Sequence, residues 1–306
     1  MSPTHSLLTV HAHPDDETIS TGGVMARYSR AGHRVICVTC TGGEHGEIVV
    51  PELDTPENHA RLRNIRADEL ARALARLGPI DSRHLGFIDS GMMGTPQNQE
   101  AGSFWTADTD EAAGRLVRIV RETRPQVIVG YNGFGGYGHP DHIRAAQVAK
   151  LAFDRAGDAA WYPDQLAEGL APWQPTKLYE TVMELSRRVE LMELMKERGI
   201  RSWLTGAEDE TPEERAPREA HIQKRADATG PKTTSVDVTQ VMDDKLAALR
   251  EHVTQIGADN FFLVFTPDEW RQFQPTEDFT LSASRVGVRI PEEDLFAGLP
   301  SEDQSR

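Results

Sequence analysis

The chain has 306 residues, enough for one large α/β domain or two smaller ones. Hydrophobic residues make up 38% and charged residues 26%, which is the balance of a globular chain with an ample core and not of a disordered one. A formal net charge of −15 argues against nucleic acid or an anionic membrane surface as partner, and no apolar run approaches the ~18 residues of a membrane span.

Residues 6–12, SLLTVHA, form an apolar run expected as a buried strand. Residues 17–32, ETISTGGVMARYSRAG, carry apolar Ile19, Val24 and Met25 and a glycine exit, which predicts a helix. Residues 33–41, HRVICVTCT, predict the next strand. A long helix is expected over 57–78, stopped by Gly78-Pro79. A short strand at 82–87, a helix at 110–125 ended by Pro125, and a strand at 126–131 follow. Residues 140–157 then predict a helix with Pro140 in its first turn. Strands alternating with helices in this way imply βαβ units and a mostly parallel, Rossmann-like α/β sheet flanked by helices. Such sheets bind ligands at the carboxyl ends of their strands.

The second half is less regular. Residues 177–185 predict a strand, followed by a helix to about residue 198. Residues 205–232 are polar and lack apolar periodicity, so a long loop or mobile insertion is expected. Residues 240–256 predict an amphipathic helix, and the polar C-terminal tail is expected to fray. No repeats or low-complexity tracts occur. The expected organisation is a single domain over 1–306, with a catalytic core over 1–160 and a C-terminal α+β elaboration over 161–300. No basic stretch followed by an apolar one marks the N-terminus as a signal peptide, so a cytoplasmic protein is expected.

Cys37 and Cys40 are the two cysteines. Their C-x-x-C spacing suits a redox pair or half a metal site, but they fall inside an extended run. There, residues i and i+3 point to opposite faces, so inert buried thiols are expected.

Two clusters carry the chemistry. His13-Pro14-Asp15-Asp16 follows the first strand, and Gly135-Gly136-Tyr137-Gly138-His139-Pro140-Asp141-His142 follows the strand at 126–131. Both fall at strand carboxyl ends on one edge of the sheet, so they can meet. Zinc accepts histidine nitrogen and carboxylate oxygen, and a catalytic zinc keeps three protein ligands and an open position for water. Such a site makes water a nucleophile near neutral pH, with a free carboxylate as base and a second histidine as acid or oxyanion partner. Asp15 and Asp16 are adjacent and diverge, so one is a ligand and the other free; spacing does not choose between them. Carboxylates beside a helix start also serve as ordinary caps, but two matched clusters make that reading the weaker one. A dinucleotide enzyme is disfavoured, because no G-x-G-x-x-G follows the first strand. A two-metal phosphoesterase would need more ligands than the clusters offer. A non-catalytic sugar-binding homologue would not need the complete set.

HAHPDDE with the later GHPDH resembles the PIG-L/LmbE-type zinc deacetylases, amidohydrolases that remove the acetyl group from N-acetylglucosamine conjugates. The likeness runs from about residue 6 to 160 and returns at HVTQI and FTLSASRV, and TGGEHGEI, LGFIDSGM and GGYGHPDHIR place it nearest the mycothiol branch. That branch contains an N-acetylglucosaminyl-inositol deacetylase and a mycothiol S-conjugate amidase. The resemblance implies one zinc per chain, with Fe²⁺ or Co²⁺ as other metals such a donor set takes. It implies His13, Asp16 and His142 as ligands and Asp15 as general base. It implies His139 as oxyanion partner or acid, polarised by Asp141, and Tyr137 as a hydrogen-bond donor to the tetrahedral intermediate. Glu47, Arg66 and Asp89 match positions expected to touch sugar and inositol hydroxyls, while a structural Arg66–Asp89 ion pair is the bland alternative. Glu17 and His11 are left supporting roles. The C-terminal elaboration is expected to shape the pocket, the substrate is a small amino-sugar conjugate, and a homo-oligomer is compatible. The amidase group carries a lysine in the helix after HPDDE, where this chain has Thr18-Ile19-Ser20-Thr21, although the surrounding stretches look more like the amidase.

Overall fold

The computed structural model describes residues 5–182, 185–200 and 211–300. Seven strands form one sheet in the order β3-β2-β1-β4-β5-β7-β6. They are β1 Ser6–His11, β2 Arg34–Thr41, β3 Asp81–Phe87, β4 Val127–Gly130, β5 Lys177–Val182, β6 Thr234–Asp237 and β7 Thr276–Ser284. The first five strands run parallel, with Leu7 opposite Val35 on one side and Val127 on the other. β7 enters antiparallel between β5 and β6.

Successive strand residues alternate between two cores, as the pleat requires. Leu7, Val35, Cys37 and Val127 pack on one face, with helices Asp16–Arg30, Leu62–Leu77 and Met242–Leu249. Leu8, Ile36, Cys40 and Ile128 pack on the other, against helices Thr109–Thr123 and Pro140–Arg155. Both faces of β1 are thus covered, which explains its unbroken buried run. Cys37 and Cys40 are free, buried and on opposite faces, and burial pushes both thiols up.

Strand order reverses between β1 and β4. β1 leads to β2 and β3 on one side, whereas β4 and β5 lie on the other. At such a switch point the two following loops separate and leave a crevice. The loop after β1 carries His13–Asp16, and the loop after β4 carries Tyr137–His142.

Several expected elements are corrected. The helix expected over 57–78 is two: one turn at Pro56–His59, capped by Thr55, and the helix Leu62–Leu77. The chain breaks between them at Arg61, whose φ of −124° is not helical. The helix expected over 240–256 ends at Leu249. Beyond it, the carboxylate of Glu69 captures the N–H and hydroxyl of Thr254 and pulls the chain into a turn. The loop expected over 205–232 contains the helix Pro212–Ala228, while residues 205–210 lie outside the described residues. This helix is polar nearly all round, so it has no apolar period to read. It meets the site loop through Arg225, whose Nε donates to the Gly136 carbonyl at 3.0 Å. Strand β7 was not anticipated as a strand, because its buried positions include the charged Glu277 and Asp278. Residues 301–306 of the expected frayed tail lie outside the described residues, whereas Leu295 and Phe296 just before them are buried in the core.

Candidate metal centre and active site

Asp16 opens its helix directly after β1 and accepts the His13 backbone N–H at 2.9 Å through Oδ2. The same oxygen lies 3.3 Å from His13 Nδ1 and 3.2 Å from His142 Nε2. Ring nitrogens from two distant segments thus meet one carboxylate oxygen. Gly135 makes this approach possible: at φ +67°, a Cβ there would meet Ile143 N at 2.6 Å and His142 Cβ at 2.7 Å. The His142 ring is wedged between Tyr131 and Tyr137, at centroid distances of 4.4 and 4.7 Å. The Tyr137 hydroxyl lies 3.4 Å from His142 Nε2.

The other nitrogen of His13 is also engaged. Its Nε2 is 3.1 Å from Asp141 Oδ2 and 3.6 Å from Asp89 Oδ1. Asp141 is fully buried, and its Oδ2 accepts the Ser90 N–H at 2.9 Å while its Oδ1 accepts the Ser90 hydroxyl. A ligand histidine held through its second ring nitrogen by a hydrogen-bonded carboxylate is the arrangement metal sites use to fix ring orientation. This corrects the expected role of Asp141 as the polariser of His139. The Asp141 carboxylate turns to His13, and only its backbone N–H reaches His139, donating to Nδ1 at 3.1 Å. A ring nitrogen that accepts an N–H is bare, so the proton of neutral His139 sits on Nε2.

Ligand-type atoms of His13, His139 and His142 lie within 4.8 Å of one another, as do those of His13, Asp89, His139 and Asp141. This dense set of imidazoles and carboxylates can hold a metal ion. The donor chemistry fits zinc: nitrogen and carboxylate oxygen, with Asp141 already orienting the His13 ring.

Electrostatics separate the two adjacent aspartates. Burial pushes the Asp15 carboxyl up to about 6, Arg66 opposing and Asp16 adding to the shift. Burial acts the same way on Asp16, but His142 and His13 outweigh it and hold Asp16 well below the usual range. Neighbouring carboxyls driven apart like this mark different roles. Burial, together with the rings of His13 and His142, pushes His139 down to about 2, so it is neutral.

Arg66 is buried, and its terminal nitrogens reach the Pro14 carbonyl at 2.6 Å, the Gly43 carbonyl at 2.8 Å and Asp15 Oδ2 at 3.3 Å. No Arg66–Asp89 ion pair forms; Asp89 instead faces His13 and accepts the Gly91 N–H at 2.8 Å. Glu47 is exposed, and its carbonyl accepts from Gln255 Nε2 at 2.9 Å. His11 is buried behind the site, bonded to the Thr21 hydroxyl at 2.9 Å. Sequence reasoning missed Ser90, Tyr131 and His252. Ser90 and His252 sit in LGFIDSGM and HVTQI, stretches whose likeness was visible while their contacts were not.

The geometry agrees with the company the chain keeps. The PIG-L family profile, described as GlcNAc-PI de-N-acetylase, matches residues 8–153. A relative from Catenulispora acidiphila, named 1D-myo-inositol 2-acetamido-2-deoxy-alpha-D-glucopyranoside deacetylase 1, is 42% identical over 311 residues, covering 97% of this chain and 91% of its own length. Relatives of the same activity name from Streptomyces scabiei and Geodermatophilus obscurus are each 41% identical, covering 97% and 98% of this chain and 90% and 100% of their own. Among solved structures, the N,N'-diacetylchitobiose deacetylase from Pyrococcus horikoshii matches with a TM-score of 0.58 at 20% identity, covering 90% of this chain and 83% of its own. The 4-carboxy-2-hydroxymuconate hydratase from Pseudomonas putida KT2440 matches with a TM-score of 0.61 at 19% identity, covering 94% and 99%. A hydratase on the same fold shows that fold alone does not set the reaction, which has to be read from the site. With a family profile over its N-terminal half and relatives above 40% identity along nearly its whole length, the chain belongs to the PIG-L family of deacetylases.

Proposed function

We propose that the protein is a zinc-dependent N-deacetylase of an N-acetylglucosaminyl-inositol. The reading is carried by His13 and His142 meeting the Asp16 carboxylate while the adjacent Asp15 turns to Arg66. The shared name of the full-length relatives supports the substrate, and the absence of a lysine over Thr18–Thr21 favours this branch over the conjugate amidase.

His13, Asp16 and His142 would hold zinc, which would supply Lewis acidity and lower the pKa of water. Asp15 takes a proton from the water that attacks the amide carbon. Its position against Arg66 holds the carboxylate in place, and its raised pKa suits a base working near neutrality. His139 Nε2–H and the Tyr137 hydroxyl donate toward the oxygen on which negative charge develops. The C–N bond then breaks, the proton that Asp15 took from water passes to the departing amine, and acetate is the second product. Asp141 keeps His13 turned toward Asp16. Glu47, and Asp89 near His13, offer carboxylates to substrate hydroxyls, while Arg66 supports the base.

The test is a substrate panel on zinc-loaded protein, scored by free amine and acetate. N-acetylglucosaminyl-inositol is expected to be turned over fastest, ahead of a mycothiol S-conjugate and free N-acetylglucosamine. A higher kcat/KM on the S-conjugate would overturn the substrate reading.

A further inference from the structure

The backbone at Asp15 is unusual. Three described non-glycine residues have positive φ: Arg124, Tyr162 and Asp15. Arg124 and Tyr162 sit in the ordinary left-handed helical region, at φ near 50° and ψ 54° and 57°. Asp15 is at φ 119° and ψ −36°, outside it. Such a conformation persists only where the surroundings over-determine it, and strain of this kind clusters at active sites.

The structure shows what holds it. Arg66 Nη2 grips the Pro14 carbonyl on one side of the peptide at 2.6 Å. On the other side, the Asp15 N–H donates to Glu17 Oε2 at 2.8 Å. The second oxygen of Glu17 faces His252 Nε2 at 2.9 Å. Glu17 and His252 are both fully buried, and 235 residues of sequence separate them. A buried carboxylate–imidazole pair pays a desolvation penalty that an apolar pair would not. Neither residue has a step in the deacetylation. Beyond the neighbouring Thr18 hydroxyl, which donates to Glu17 Oε1 at 2.5 Å, the pair reaches the strained N–H of the proposed base.

We propose that Glu17 and His252 are positioning residues. The imidazole orients the carboxylate, the carboxylate fixes the Asp15 peptide, and the peptide aims the Asp15 side chain away from the ligand cluster and against Arg66. The C-terminal region thereby reaches the reaction through the turn that carries His252, without touching substrate. This inference rests on the reading of Asp15 as general base.

The experiment compares Glu17→Ala, Glu17→Gln, His252→Asn and His252→Gln in the full-length zinc-loaded protein. Glu17→Gln keeps an acceptor for the Asp15 N–H, and His252→Gln keeps a donor long enough to reach Glu17, whereas Asn at 252 is too short. Zinc content by elemental analysis is expected to stay at that of the wild type in all four. In Glu17→Ala and His252→Asn, kcat is expected to fall about a hundred-fold with KM little changed, the size of effect that misplacing a reacting group by about 1 Å produces. The two Gln variants are expected to recover most of the loss. A crystal structure of Glu17→Ala is expected to show residue 15 at negative φ. Parallel loss of zinc would overturn the proposal by making the pair a support of Asp16, and so would unchanged kcat or a positive φ retained at residue 15. If Glu17→Ala does not fold, the Asn and Gln variants at 252 decide: equal kcat in the two overturns it. Asp15→Asn separates this inference from the one beneath it. If that variant kept its turnover, the base reading would fall, while the φ of residue 15 in Glu17→Ala would still judge the positioning contact on its own.

Discussion

At the scale of single residues, the central question is how two adjacent aspartates divide the work. The Asp16 carboxylate contacts both candidate ligand histidines, whereas the Asp15 carboxylate faces Arg66. Replacing Asp15 with Asn is therefore expected to lower kcat by about 10²- to 10⁴-fold, the usual worth of a general base, with metal content unchanged. Asp16→Ala is expected to lose the metal instead; elemental analysis of the two purified variants distinguishes them. Asp141 belongs to the same scale. Asp141→Asn weakens the hold on His13 Nε2, and metal affinity is expected to drop about 10- to 100-fold in competition with a chromogenic chelator. An unchanged affinity would show that His13 needs no such support.

Much of this was legible beforehand, because residue types at strand ends limit the chemistry available. His13, Asp15, Asp16, His139, Asp141 and His142 were all marked from their spacing and likeness, and the crevice at the β1/β4 switch brings them together. The partner of each was not legible. The Asp141 carboxylate choosing His13 over His139 depends on where Ser90 pins it. Arg66 turning to Pro14 and Asp15 depends on how the helix Leu62–Leu77 lies over that loop.

At the scale of elements, the helix after HPDD shows how the C-terminal strands stabilise the site. Glu277 on β7 reaches into the helix Asp16–Arg30 and accepts the N–H groups of Gly23 and Val24 at 2.7 and 2.8 Å. Lys245 pairs with the same carboxylate at 2.7 Å. Only glycine fits at position 23, where a Cβ would meet Val238 Cγ1 at 2.6 Å. Glu277→Ala leaves the buried Lys245 ammonium and two buried N–H groups without this partner, and an unfolding cost of about 3–5 kcal/mol is expected in urea titration. A loss below about 1 kcal/mol, the range of a surface pair, would show the contact to be incidental. Helices with a clear apolar stripe, such as Thr109–Thr123, were anticipated to within two residues. The polar helix Pro212–Ala228 and strand β7 were not, since their placement depends on pairing polar side chains with partners elsewhere in the chain.

At the scale of the whole molecule, the C-terminal segment is clamped under the sheet. Lys177 on β5 is fully buried and donates to Glu292 at 2.6 Å and to the Ala297 carbonyl at 2.7 Å. The Tyr179 hydroxyl donates to the other oxygen of Glu292 at 2.6 Å. Removing one charge should cost far more than removing both. Glu292→Ala is expected to destabilise by about 3–5 kcal/mol, while the double replacement Lys177→Met with Glu292→Leu should return most of that loss. Thermal melts of the single and double variants check this; equal losses would mean the pair is not coupled. No described helix is long and apolar enough to cross a membrane.

The sequence by itself determined the alternation of strands and helices, the two inert thiols on opposite faces and the residue types at the two strand ends. These follow from local periodicity and chemistry, which are carried by neighbours in the chain. Only the tertiary structure decided which carboxylate faces the histidines, what holds the turn at Asp15, and how His252 comes to lie behind it. Those outcomes depend on contacts between segments up to 235 residues apart, and each buried polar group takes the partner that packing places within reach.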